Sequence, residues 1–262
     1  PLFKAHLIYD PSTCKRTDLR RSDKGLIWFW QEPDAQGEWP RDREYGIGVD
    51  VAFGTGASNS ALSVIDLKTG EQIAEAASPN RQPQEWASLC LSLCHWFQSA
   101  YGGAYLIWEA NGPGRVFGDT VKLARYQRIF YRTNEKKRDN DPTDFAGWWA
   151  TREEKLSLLS EFGKALTSGG YLCRSKRAID ECGEYVYNPD GSVGNAHGRS
   201  KIDPSGARDA HADCVIANAL AWKLFTKRPV TNEMTKPVRI LKNTFGWREQ
   251  ERDKALKAVG QW

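Results

Sequence analysis

The chain has 262 residues, of which 40% are hydrophobic and 27% charged, enough to bury one sizeable core in a globular fold. No run of about 18 apolar residues occurs and the N-terminus lacks a signal pattern, which argues against membrane-spanning and secreted classes. Net charge is only +4, but from Lys223 to Trp262 ten basic residues face four acidic ones, so the end of the chain carries more than the whole excess.

The chain opens at Pro1, so a further upstream segment is expected, and residues 1–44, polar apart from Leu26 to Trp30, are expected to be a linker. The first strong strand runs from Tyr45 to Val51 into a breaker-rich loop, Ala52 to Asn59. Ser60 to Leu67 alternates as a strand, Lys68 to Glu71 turns, and Gln72 to Ala77 returns, which predicts an antiparallel three-stranded meander. In Pro83 to Ala100, Trp86, Leu89, Cys90, Leu93 and Phe97 recur at three- and four-residue steps, as one buried helix face requires. Ala104 to Trp108 reads as a buried strand ending at Glu109, followed by an Ala110 to Gly114 loop. A helix (Arg115 to Arg125), a strand (Arg128 to Tyr131) and a helix (Arg152 to Thr167) stopped by Gly169 and Gly170 come next. Asn188 to Gly194 reads as a hairpin turn, and a last helix spans about Ala207 to Phe225. Such an order indicates a mixed α/β sheet in a domain over 45–226, with 227–262 as a basic tail.

Six cysteines (Cys14, Cys90, Cys94, Cys173, Cys182 and Cys214) show neither zinc-finger spacing nor a secreted disulfide framework, which fits reduced thiols in a cytoplasm. Cys90, Cys94 and His95 lie close on a helix, where buried thiols are commoner than metal ligands.

Acids at strand ends before glycine-rich loops stand where open α/β sheets bind ligands. Asp50 ends an apolar strand, where a carboxylate is costly unless a metal or hydrogen-bond donors compensate it. Glu109 has the same address, although it reads equally well as an acceptor for its own loop. In the last helix Asp209 and Asp213 are four residues apart, on one face, with His211 between them. Asp209 also reads as a helix cap, whereas Asp213 adjoins the apolar run Val215, Ile216 and Ala217.

These residues resemble a known family. The strand Gly46 to Ala52 with Gly54-Thr55-Gly56, Glu109 with Asn111 and Gly112, Trp149-Ala150-Thr151 with Lys155, and His211-Ala212-Asp213 before an alanine-rich helix look like the nuclease domain of viral terminase large subunits. The likeness covers about Tyr45 to Phe225. It implies a ribonuclease H-like mixed sheet, three antiparallel meander strands plus parallel strands, flanked by helices. By the same resemblance Asp50, Glu109 and Asp213 are the catalytic, metal-binding acids, holding Mg²⁺ or Mn²⁺, as two ions. Many relatives carry an acid where Ala212 stands, which leaves Asp209 or His211 to complete the ligand set.

The implied reaction is two-metal hydrolysis of double-stranded DNA during viral genome packaging, in the host cell cytoplasm. Lys155, Arg199 and Lys201 are candidate DNA contacts, as are Lys136, Lys137 and Arg138, though each also reads as ordinary surface charge. Implied partners are the portal, the small terminase subunit and a packaging ATPase upstream, since no Gly-x-x-x-x-Gly-Lys-Ser/Thr loop occurs here. A resolvase or transposase-like nuclease of the same fold and a non-catalytic DNA- or portal-binding module are the alternatives. An actin-like sugar kinase, suggested by Asp50 and the Gly54 to Gly56 loop, needs a second phosphate-binding half for which the length leaves little room.

Overall fold

The computed structural model describes residues 1–133, 142–187, 193–195 and 213–227. Its main sheet has seven strands in the order β2-β1-β3-β6-β5-β4-β7. In chain order these are β1 (Phe3–Tyr9), β2 (Arg16–Arg21), β3 (Ile27–Phe29), β4 (Tyr45–Asp50), β5 (Ser60–Asp66), β6 (Gln72–Ser78) and β7 (Tyr105–Trp108). The meander β4-β5-β6 is antiparallel, and β7 joins β4 in parallel. Ile129 continues that parallel edge through a bridge to Leu106. The mixed sheet flanked by helices expected from the sequence is thus present.

Residues 1–44 depart from expectation. They supply β1, β2 and β3, which continue the sheet through the pairing of β3 with β6, so most of this segment belongs to the fold rather than leading into it. The strand expected at Arg128 to Tyr131 is shifted: β8 (Tyr131–Thr133) pairs with β9 (Pro142–Ala146) in a separate hairpin. One helix goes unread in the sequence, α4 (Lys176–Gly183), which follows α1 (Pro83–Trp96), α2 (Gly114–Leu123) and α3 (Arg152–Ser168). Strands β10 (Tyr185–Tyr187) and β11 (Val193–Asn195) pair antiparallel; Val193 and Gly194 of the expected turn fall in β11 and its residues 188–192 lie outside the described residues, and α5 (Asp213–Thr226) closes the described chain.

Strand periodicity divides the core. On one face of the sheet Ile47, Val49, Leu62 and Val64 pack with Trp86, Leu89 and Leu93 of α1 and Phe117 of α2. On the other, Ile65 and Ile107 pack with Leu158 and Phe162 of α3 and Val215, Leu220 and Leu224 of α5. Helix α5 lies directly on β4, and glycine permits it. A Cβ at Gly48 would run into the Ala217 carbonyl oxygen and the Ala221 amide nitrogen, and one at Gly46 would press on Leu224. Because Leu224 lies beside Gly46 and Ala217 beside Gly48, α5 runs against β4 and its N-terminus overhangs the strand's C-terminal end. Buried Asn218 of α5 fixes this position: its Oδ1 accepts from Ser63 Oγ (2.7 Å), Gln72 Nε2 (2.8 Å) and the Tyr171 hydroxyl, and its amide donates to the Cys214 carbonyl (2.8 Å).

Candidate metal-binding acidic site

Asp50 lies on the same strand face as Gly46 and Gly48, two residues on, so its carboxylate is directed to the N-terminus of α5. Val49 pairs with Trp108 in parallel register, and the Glu109 amide donates to the Val49 carbonyl at 3.0 Å. Asp50 and Glu109 therefore end neighbouring strands. Asp213 opens α5, where its Oδ2 accepts from the Asn59 amide of the β4–β5 loop at 2.8 Å. The three acids come from two parallel strand ends and the helix that crosses them.

Their charges are felt mutually. Burial, then Glu109 and Asp213, raise the Asp50 carboxyl well above the usual carboxylate range, and Lys155 opposes the rise. Glu109 is raised by burial and by Asp213, again against Lys155. Lys155, in the first turn of α3, thus faces the acids; Thr151 caps that turn by accepting from the Glu154 amide at 3.1 Å. Among the described residues no three His, Cys, Asp or Glu side chains are drawn together tightly enough to enclose a metal as they stand. The donor chemistry nonetheless fits a hard divalent cation: Asp213 raises the proton affinity of both Asp50 and Glu109, so the cluster calls for positive charge, and oxygen donors suit Mg²⁺ and Mn²⁺.

Two neighbours escaped the sequence reading. Glu181 of α4 is buried, and its Oε2 accepts from the Cys214 (2.9 Å) and Val215 (3.1 Å) amides in the first turn of α5, beside Asp213. Burial, with Asp213 and Glu75 contributing, lifts its carboxyl to about 7. Tyr185 of β10 is pushed up by burial and then by Asp50, Glu181 and Asp213, which sets it against the same cluster. Ser175, whose side chain accepts from the Ala178 amide at 3.1 Å, was a visible cap signal for α4, but nothing local marks Glu181 or Tyr185.

Asp209, His211, Arg199, Lys201, Lys136, Lys137 and Arg138 lie outside the described residues. Cys90 and Cys94 are buried, and burial raises both thiols, which favours the protonated packing role over metal ligation. None of the six cysteines is bridged. Among the described residues no helix is long and apolar enough to cross a membrane.

The strand order, the antiparallel meander with its parallel partner and the helices on both faces define a ribonuclease H-like fold. Solved structures of this fold match the chain. The large terminase nuclease from thermophilic phage G20c with bound magnesium gives a TM-score of 0.54 at 16% identity, covering 77% of this chain and 89% of that one. Its cobalt-bound form gives 0.54 at 17% identity, over 77% and 89%. The large terminase nuclease domain of Thermus phage P74-26 gives 0.51 at 15% identity, over 86% of this chain and 93% of that chain. No protein-family model matches the sequence, and no curated protein does.

Proposed function

We propose that the chain is the nuclease domain of a viral DNA-packaging terminase, a divalent-metal-dependent endonuclease that cuts double-stranded DNA. The observation that carries this reading is the placement of Asp50 and Glu109 at neighbouring parallel strand ends of a ribonuclease H-like sheet, with Asp213 close enough to raise the proton affinity of both. The magnesium- and cobalt-bound nucleases of like fold support it. Asp50, Glu109 and Asp213 would hold two Mg²⁺ or Mn²⁺ ions, with Asp209 or His211 completing the set. Such ions supply an activated water and charge stabilisation for phosphodiester hydrolysis. Asp50 and Glu109, on rigid strand ends, fix the donors relative to the sheet, while the Asn59 amide and Glu181 fix Asp213 through loop and helix. Lys155 balances the acids, and in this reading it would contact the scissile phosphate, with Arg199 and Lys201 as further phosphate contacts. By the same reading the domain works in the host cytoplasm with a packaging ATPase, a portal and a small terminase subunit, and the basic residues after Phe225 serve DNA or portal binding.

Plasmid DNA should be nicked or linearised with Mn²⁺ or Mg²⁺ and left intact in chelator, and Asp50→Ala and Asp213→Ala should each abolish cutting, with Glu109→Ala severely impaired. Undiminished cutting in chelator would remove the metal mechanism. No cutting with either metal would turn the reading to a non-catalytic binding module.

A further inference from the structure

Next to the acids lies a second cluster that the metal chemistry does not use. Glu109 forms a parallel bridge with Trp148, and the Ala110 amide donates to the Trp148 carbonyl at 2.7 Å, so Trp149 is one residue beyond the catalytic strand end. Its segment is locked to the loop after Glu109: the Ala150 amide donates to Asn111 Oδ1 at 2.7 Å, and Asn111 Nδ2 donates to the Ala150 carbonyl at 3.1 Å. Two guanidiniums lie over the Trp149 ring, with Arg115 at 5.4 Å and Arg132 at 5.3 Å from its centre. Arg132 also lies 5.4 Å from the centre of the Phe145 ring, whose residue is 64% exposed.

Arg115 projects from the first turn of α2 and Arg132 from β8, and among the described residues neither pairs with a carboxylate. The arrangement is costly as it stands. Two like charges share one ring, and partial burial without a counter-charge lowers the Arg132 guanidinium below its ordinary value. By contrast, Arg177 of α4, which also lies over a ring, that of Trp28, is compensated by an ion pair with Glu75 at 2.7 Å. An anion would relieve the repulsion, and planar guanidiniums braced on an aromatic face are suited to phosphate.

We infer that Arg115, Trp149 and Arg132 form a docking platform for the phosphate backbone of duplex DNA, placing one flank of the duplex beside the acidic site. This rests on the nuclease reading and deepens it by naming where the substrate lies. The platform is a binding device: it touches substrate away from the reacting atoms, so it governs affinity and leaves metal binding unchanged.

The test measures binding of a short fluorescein-labelled duplex by anisotropy in calcium at stepped salt concentrations, with Mn²⁺ binding followed by calorimetry. The variants are the double change Arg115→Gln with Arg132→Gln, and Arg20→Gln at the opposite edge of the sheet as control. Loss of two phosphate contacts should weaken duplex binding about tenfold and lower the slope of log affinity against log salt by about 2. Arg20→Gln should alter neither, and Mn²⁺ affinity should match the wild type throughout. A double variant that binds duplex with wild-type affinity and salt slope overturns the platform while the wild type still cuts. A wild-type protein that neither binds nor cuts duplex overturns the nuclease reading together with it.

Discussion

Asp50 ends a strand whose α5-facing side is otherwise glycine, so the carboxylate meets the helix with no bulk to shield it from Glu109 and Asp213. Its raised pKa means that the fold without metal favours protonation of Asp50 relative to the unfolded chain. Stability linked to this group is therefore full below the ordinary carboxylate range and is lost as pH rises through the raised folded value. Glu181 acts in the same direction up to about 7. Asp50→Asn should accordingly melt higher than the wild type in chelator, by a margin that widens between pH 5 and pH 8, while Mn²⁺ stabilises the wild type and not the variant. Thermal melts across that range check this; a margin that shrinks with pH would contradict the electrostatic account. At this scale the strand-end positions of Asp50 and Glu109 were legible in the sequence, because an acid after an apolar run and before glycines marks where a strand stops. Lys155 was ambiguous, since a lysine in a first helical turn looks the same whether it faces solvent or acids.

Helices and strands differ in how far they could be read. The β4-β5-β6 meander, α1, α2 and α3 follow from periodicity and stop signals, including Gly169, which ends α3 at φ +73°. Helix α4 went unread because its eight residues span about two turns, too few for a period to emerge, which left the Ser175 cap as its one local mark. Strand β2, Arg-Thr-Asp-Leu-Arg-Arg, is a charged edge strand whose assignment depends on β1 beside it rather than on its own pattern. Missing α4 meant missing Glu181, which caps α5 from another helix and so holds Asp213 in place. Glu181→Ala leaves two first-turn amides without an acceptor and should cost about 1–3 kcal/mol. Glu181→Gln keeps an oxygen acceptor and should cost less. Urea melts give the comparison, with Mn²⁺ affinity expected to fall more for the alanine variant; equal, negligible losses in both would deny the capping role.

Across the whole molecule, the sheet is wider than the sequence suggested, since residues 1–44 add three strands beyond the meander. Phe29 of β3 is fully buried and stacks on Phe3 (4.7 Å), with Trp39 and Trp96 at 6.2 and 5.7 Å. Phe29→Ala should destabilise the protein by about 3–5 kcal/mol, a large share of the roughly 5–15 kcal/mol of an ordinary domain. Were this segment a detachable linker, denaturant melts would barely move. The same breadth separates duties along the sheet: the N-terminal strands complete the core, and the acids and the Trp149 platform gather at the β4 and β7 strand ends. The central claim is that those acids form a divalent-metal site. A crystal soaked in Mn²⁺ and measured at the manganese absorption edge tests it most directly. Anomalous density bonded to the Asp50 carboxylate and shared with Glu109 and Asp213 is the expected result; no ion there, or ions bound only elsewhere, would contradict it.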